Sequence, residues 1–304
     1  MREKVNLTLQ QTSNRIGITL LLSILGVSLF ANSLGSSAGY NIDWAIRETL
    51  LYASLYIFLC FFLLKVSPKA VMRRQKRSRF TFIESVLWAF WAVFLNFSIC
   101  DLYSVGNSRT PIKINLSQIW AGLLFAALTG LYEEYVYRGI FLTTLCDNGG
   151  SVLAVICTTL LFSLMHGTQF PAPLLLSIMT GCFYVMSGNL LLPIATHIMN
   201  DWFGVLLTPF GSFLFPQKSY DEVQFILKWS CVGILVVLSL LLWIYYHFYK
   251  HSSVHPIEKL RMIGNEIKNH KNDYQKFFCT PGMSFLLMLV LVNLFVTLAS
   301  FIKK

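Results

Sequence analysis

The stretch Leu131–Ile140, reading LYEEYVYRGI, sets two adjacent carboxylates and an arginine inside a long apolar run. The run opens near Leu116, passes through Ala121–Leu128, and its helix is expected to reach about Leu145. Ionisable groups at bilayer depth cost about 2.5–3.5 kcal/mol each on insertion scales. A chain keeps them when they are paired, wetted or used. Glu134 and Arg138 stand four residues apart, so they share one helix face and can neutralise each other. Glu133 points about 100° away on the same wheel and has no local cation. The plainer reading makes it a bystander beside a structural ion pair. A functional Glu133 is preferred, because the cost of the second acid is otherwise uncompensated.

The rest of the chain supports a membrane setting. Hydrophobic residues make up 55% and charged residues 12% of the sequence, about half the charged share of a soluble domain. Apolar runs recur over about 16–34, 49–66, 80–100, 116–145, 151–166, 174–192, 194–207, 225–249 and 285–302. An all-α, polytopic bundle of about eight or nine spans follows. The chain reads as a single integral membrane domain over 1–304, with a motif-bearing core at 116–209. The first run follows a charged segment as a signal peptide would, but it is long, and it reads as a retained span.

The basic excess does not indicate nucleic acid. Arg2, Lys4 and Arg15 precede the first span, seven basic residues fall in Lys65–Arg79, and six in Lys250–Lys276. By the positive-inside rule these segments are cytoplasmic, which gives a multi-pass protein of the cell membrane with a cytoplasmic N-terminus. The bilayer is one expected partner. Gly35–Ile42 reads as a loop, Asp101–Ser117 as an outer loop, Cys146–Gly150 as a tight turn, and Pro209–Asp221 as another outer loop. His255–Phe278 carries Ile257, Leu260, Ile263 and Ile267 at helical spacing, which suits a surface helix on the bilayer or a solvated linker. The seven cysteines show no CxxC spacing and read as small buried hydrophobes.

Two further apolar runs carry paired special residues. Phe162 and His166 are four apart, and so are His197 and Asp201, with Asn200 beside the aspartate. Glu133 and His166 lie about 18 and 22 Å along their helices from the shared turn, so antiparallel packing brings them to similar depth. His197 enters from the opposite membrane face. A carboxylate beside an imidazole can activate water as a general base, and a second imidazole can donate to a developing oxyanion. The same set (Glu133, His166, His197 and Asp201) also suits zinc, although HExxH is absent.

These residues, Glu133-Glu134-xxx-Arg138, Phe162-xxx-His166 and His197-xxx-Asp201, resemble in order the three motifs of the CAAX-protease and bacteriocin-processing family of intramembrane endopeptidases. That family includes the type II CAAX prenyl endopeptidases and the lysostaphin resistance protein A-like proteins. The resemblance covers about Ile119–Leu207. It implies hydrolysis of a peptide bond of a membrane-associated protein or peptide substrate, with CAAX-type or bacteriocin and peptide-precursor processing as the substrate classes. Glu133 would be the general base, His166 would position the water, and His197 would stabilise the oxyanion. Glu134 and Arg138 would form the supporting ion pair. The family was first described as metal-dependent and later given a metal-free glutamate mechanism, so zinc stays open. The third motif commonly ends in Asn, whereas Asp201 stands here. An ionised Asp accepts only, so it would orient His197 or ligate a metal, or donate if burial keeps it protonated. Asn200 would substitute only in a distorted helix.

Rival readings rest on less. Gly35-Ser36-Ser37-Ala38-Gly39 is a formal GxSxG without a preceding strand. Asp101 and Asp147 fall in loops, unlike the facing pair of an aspartyl intramembrane protease. A proton-coupled transporter would also keep buried ionisable groups, but neither inverted repeats nor paired broken helices are visible. A non-catalytic immunity scaffold would tolerate loss of Glu133.

Overall fold

The computed structural model describes residues 8–34, 42–66, 71, 80–104, 116–166, 171–247 and 265–302. The basic run over 72–79, the outer loop over 105–115, Gly35–Gly39 and residues 255–264 lie outside them. Among the described residues the chain is helical and no strand occurs. The elements are α1 (Leu9–Leu34), α2 (Ile42–Leu64), α3 (Phe82–Ser104) and α4 (Leu116–Glu134), then a π-helical segment (Tyr135–Leu142) that leads into α5 (Thr143–Gly149). They continue as α6 (Ser151–Met165), α7 (Pro171–Ser187), α8 (Leu191–Leu214), α9 (Tyr220–Tyr245), α10 (Lys271–Phe278) and α11 (Pro281–Ile302).

Two helices, over Phe82–Ile99 and Asp221–Tyr245, are long and apolar enough to cross a bilayer. The pair Asn272–Phe278 and Pro281–Val292, bent by 71°, makes a third candidate. The apolar stretches Thr49–Leu64, Ser151–Met165, Pro173–Ser187 and Leu191–Leu207 are shorter. Large apolar side chains face outward. On α9 alone, Phe225, Trp229, Val236, Val237, Leu240 and Trp243 are all exposed. An outer surface of this kind is stable against lipid and not against water. The protein is an integral membrane protein.

Several boundaries differ from the sequence expectation. Cys146–Gly149 continue the helix instead of forming a tight turn, with the Asn148 side chain donating to the Thr144 carbonyl at 2.7 Å. The turn is compressed into Gly150, whose φ of 84° suits a residue without a Cβ. A Cβ there would also lie 2.9 Å from Glu266 Oε1. Pro209 lies within α8, so the expected outer loop shrinks to the few residues after Leu214. Pro193 falls in the first turn of α8, where a missing N–H is tolerated. Asp101 is helical, at the end of α3.

The described part of the expected surface helix is docked on protein. The Phe277 side chain is fully buried, and Glu266 Oε1 accepts the Val152 N–H at 3.0 Å at the start of α6. The two ends of the chain are joined nearby. Ser13 Oγ on α1 donates to the Phe277 carbonyl, and Asn14 Oδ1 accepts the Gly282 N–H at 2.7 Å. The α1–α11 crossing brings backbones together at Gly17 and Gly282, where a Cβ on Gly17 would sit 2.5 Å from the Gly282 carbonyl carbon. Neither backbone can yield there as a flexible side chain would. We predict that Gly17→Ala destabilises the protein by about 1–3 kcal/mol through overpacking. Gly233→Ala, on α9 with nothing within 4 Å of the added methyl, should leave the melting temperature unchanged or slightly raised. Thermal unfolding in detergent checks both.

Candidate active site

The site is built around α4, which packs against α8 on one side and α2 on another. Close approach of α4 and α8 depends on Gly130. A Cβ there would lie 2.9 Å from Ile198 Cγ1 and 3.6 Å from His197 Cγ. His197 therefore reaches the carboxylates one turn further along α4.

Glu134 is fully buried and is held from two sides. Its Oε2 is 3.1 Å from Arg138 Nε, and its Oε1 is 2.8 Å from His197 Nδ1. The expected Glu134–Arg138 pair is present, and its carboxylate also fixes the histidine. Arg138, itself buried, donates through one terminal nitrogen to the Ser177 carbonyl at 3.0 Å, Ser177 Oγ at 2.7 Å and Thr180 Oγ1 at 2.5 Å. Its guanidinium also lies over the Phe162 ring, 4.9 Å from the centroid. These α7 partners, Ser177 and Thr180, were missed by sequence reasoning. The signal was two small hydroxyl residues three apart in an otherwise apolar run.

Immediately after Glu134 the backbone changes to a π-helix. A π segment spaces its hydrogen bonds at i+5 and is frequent at functional sites. The Thr143 hydroxyl donates to the Arg138 carbonyl at 3.0 Å, and the Thr144 hydroxyl to the Ile140 carbonyl at 2.6 Å. Gly139 lies within this segment, and a Cβ there would lie 2.9 Å from Val71. The wheel assumed in the sequence reading thus holds as far as Glu134 and widens beyond it.

Glu133 points away from the ion pair. Its Oε1 accepts a hydrogen bond from the Tyr132 hydroxyl at 3.3 Å. Its Oε2 is buried, has no hydrogen-bond partner among the described residues, and lies 3.7 Å from His197 Nε2. Glu133 and His166 line one cavity of about 260 Å³, together with Tyr52 and Tyr56 of α2, Tyr132, Tyr137 and Met165. The structure thus unites the two residues that helix-length arithmetic matched in depth. Ser23 and Ile24 of α1 also line the cavity, so two helices without any motif form part of its wall. The tyrosines are further residues that sequence reasoning missed, since an aromatic in an apolar span reads as core.

His166 caps α6, and its Nδ1 lies 2.8 Å from the Phe162 carbonyl. With Nδ1 donating there, Nε2 is left for the cavity. The Phe162 ring stands between the two histidines, its centroid 4.6 Å from that of His166 and 5.7 Å from that of His197. His197 Nε2 is also 3.5 Å from Asp201 Oδ2. Asn200 faces elsewhere on the regular helix α8. Its Oδ1 accepts from Asn96 Nδ2 of α3 at 2.9 Å, and its Nδ2 donates to Asp201 Oδ1 at 3.1 Å.

Zinc was left open by the sequence. Each histidine has one nitrogen held by an oxygen acceptor, as metal-ligating histidines do. Among the described residues, however, no three His, Cys, Asp or Glu side chains stand close enough to share a metal ion.

Residues 115–203 match the family model described as type II CAAX prenyl endopeptidase Rce1-like. The match spans all three motifs. No curated protein and no solved structure matches the chain.

Removal of Glu134 leaves the buried Arg138 without its carboxylate, and removal of Arg138 leaves Glu134 with His197 alone; breaking a buried pair costs about 3–5 kcal/mol. Glu134→Ala and Arg138→Ala should therefore sharply reduce the folded protein recovered from membranes and lower its melting temperature. Ser177→Ala removes one charge-assisted bond and should cost less, about 1.5–3 kcal/mol. Wild-type melting temperatures in the first two variants would contradict this account.

Proposed function

We propose that this protein is a glutamate-type intramembrane endopeptidase, a reading supported by the match of residues 115–203 to the type II CAAX prenyl endopeptidase Rce1-like family model. The observation that carries the proposal is the setting of Glu133 Oε2. It is a buried carboxylate oxygen without a hydrogen bond among the described residues, 3.7 Å from His197 Nε2 and in a cavity shared with His166.

The reaction runs as follows. Water enters the cavity and lies between Glu133 and His166 Nε2, which accepts a hydrogen bond and orients it. Glu133 takes one proton as the oxygen attacks the carbonyl carbon of the scissile bond. The carbonyl oxygen becomes an oxyanion, and His197 Nε2–H donates to it. The intermediate collapses, the C–N bond breaks, and the proton on Glu133 passes to the leaving amine. Glu134 holds the His197 ring through Nδ1, so its Nε2 is aimed without reorganisation. Tyr132 fixes the other oxygen of Glu133. Asp201 accepts only, so in this reading it orients His197 and does not replace the amide donor of the usual Asn.

The substrate is a membrane-associated protein or peptide, either a CAAX-type C-terminus or a bacteriocin or peptide precursor. The chain crosses the cell membrane eight or nine times with its N-terminus in the cytoplasm. The basic segments at both ends of the motif core support that orientation.

The test is comparative peptidomics of cells expressing the wild-type protein or Glu133→Gln at matched membrane abundance. Specific peptides should disappear in Glu133→Gln and also in His166→Ala, and their termini report the bond cleaved. Retained cleavage in either variant would falsify the assigned roles. An unchanged peptidome with a lost phenotype points to transport, and one with a surviving phenotype points to an immunity scaffold. Cleavage in washed membranes should persist after exhaustive chelation, because no step passes through a metal. Gly130→Val should lower cleavage at least tenfold by pushing α8 and His197 away from α4.

A further inference from the structure

The site contains one polar chain that begins outside the matched segment. Asn96 lies on α3, buried to 5% exposure. Its Nδ2 donates to Asn200 Oδ1 at 2.9 Å, Asn200 Nδ2 donates to Asp201 Oδ1 at 3.1 Å, and Asp201 Oδ2 faces His197 Nε2 at 3.5 Å. Each link has a direction. An amide has an acceptor end and a donor end, and a carboxylate only accepts. Asn96 occupies the acceptor end of Asn200, which turns the donor end of Asn200 toward Asp201. That bond engages one oxygen of Asp201 and leaves the other for His197. On the opposite side of the ring, Glu134 Oε1 engages Nδ1. His197 is thus clamped between two carboxylates, one aligned by Arg138 and the other by the two asparagines.

From this geometry we infer that Asn96 is a positioning residue for His197, acting through Asn200 and Asp201. The inference rests on the endopeptidase reading above. It gives Asn200 a role that the sequence did not: the asparagine beside the third motif orients the aspartate and does not donate to the oxyanion. It also brings α3, which carries no motif, into the site. Without Asn96, the Asn200 amide is free to turn and present its oxygen to Asp201. The carboxylate would then lose its donor, and His197 its second support.

A structural role and a positioning role are separated by two readouts. The first is independent of activity: the ring ¹⁵N resonances of His197 in detergent-solubilised protein labelled at histidine, assigned by their loss in His197→Gln. Asn96→Leu should shift the Nε2 resonance, and Asn96→Ser, whose hydroxyl can still donate, should return it toward wild type. The second is the yield of the peptides that distinguish wild type from Glu133→Gln. Asn96→Leu should lower that yield at least tenfold at matched abundance, with partial recovery in Asn96→Ser. Asn96→Leu should add little to the loss already caused by Asp201→Ala, because both act on one ring. An unmoved His197 resonance overturns the inference, and so does a loss in Asn96→Leu that multiplies with that of Asp201→Ala. If wild type and Glu133→Gln yield the same peptides, the endopeptidase reading itself has failed and this inference falls with it. If those peptides differ but Asn96→Leu matches wild type, only the inference fails. Asn200→Ala, which breaks the same chain one link later, replaces Asn96→Leu should the latter not fold.

Discussion

The arrangement depends on a carboxylate buried between two cationic or donor groups. Glu134 has no solvent exposure, and its two oxygens face Arg138 and His197 on different helices. An unpaired carboxylate in such a place would be strongly unfavourable, and so would an unpaired guanidinium. The pair on α4 therefore constrains its neighbours. α7 must bring Ser177 and Thr180 to Arg138, and α8 must bring His197 to Glu134. Helix packing around the site is set by charge satisfaction as much as by the fit of apolar side chains, and Gly130 supplies the close approach that this requires.

Once that frame is in place, the neighbouring acid has a different character. Glu133 faces a cavity, and one of its oxygens lacks a hydrogen bond among the described residues. Adjacent residues on one helix are thereby given different environments, one held between a guanidinium and an imidazole and one lining a cavity. Phe162 separates the two histidines while touching both rings and the guanidinium. Its place one turn before His166 is thus a packing requirement as well as a sequence spacing. The wall of the cavity comes partly from α1 and α2, which lie before the segment that matches the endopeptidase family.

The parts of the site legible in the sequence share one physical origin. Glu134 with Arg138, Phe162 with His166, and His197 with Asp201 are four apart on a helix, a spacing that brings side chains together whatever surrounds them. The expense of charge in apolar surroundings singled these residues out. Asn96, Ser177, Thr180 and the cavity tyrosines escaped because their residue types are unremarkable in a span, and their importance comes from what a distant helix presents to them. The π-helical segment escaped for a related reason. Propensity and periodicity assume 3.6 residues per turn, whereas Tyr135–Leu142 widen in a packed environment where threonine hydroxyls can take up backbone carbonyls.

The sequence by itself determined an all-helical membrane protein, the three motif pairs and the helices that carry them. Each of these follows from local spacing and from the cost of placing polar groups among apolar ones. Tertiary structure decided which carboxylate is held in the ion pair and which lines the cavity. It decided that His197 is gripped by Glu134 on one nitrogen while facing Glu133 and Asp201 with the other, and that Asn200 turns toward α3. These outcomes depend on distances between helices far apart in the chain, which local spacing does not encode and which only packing resolves.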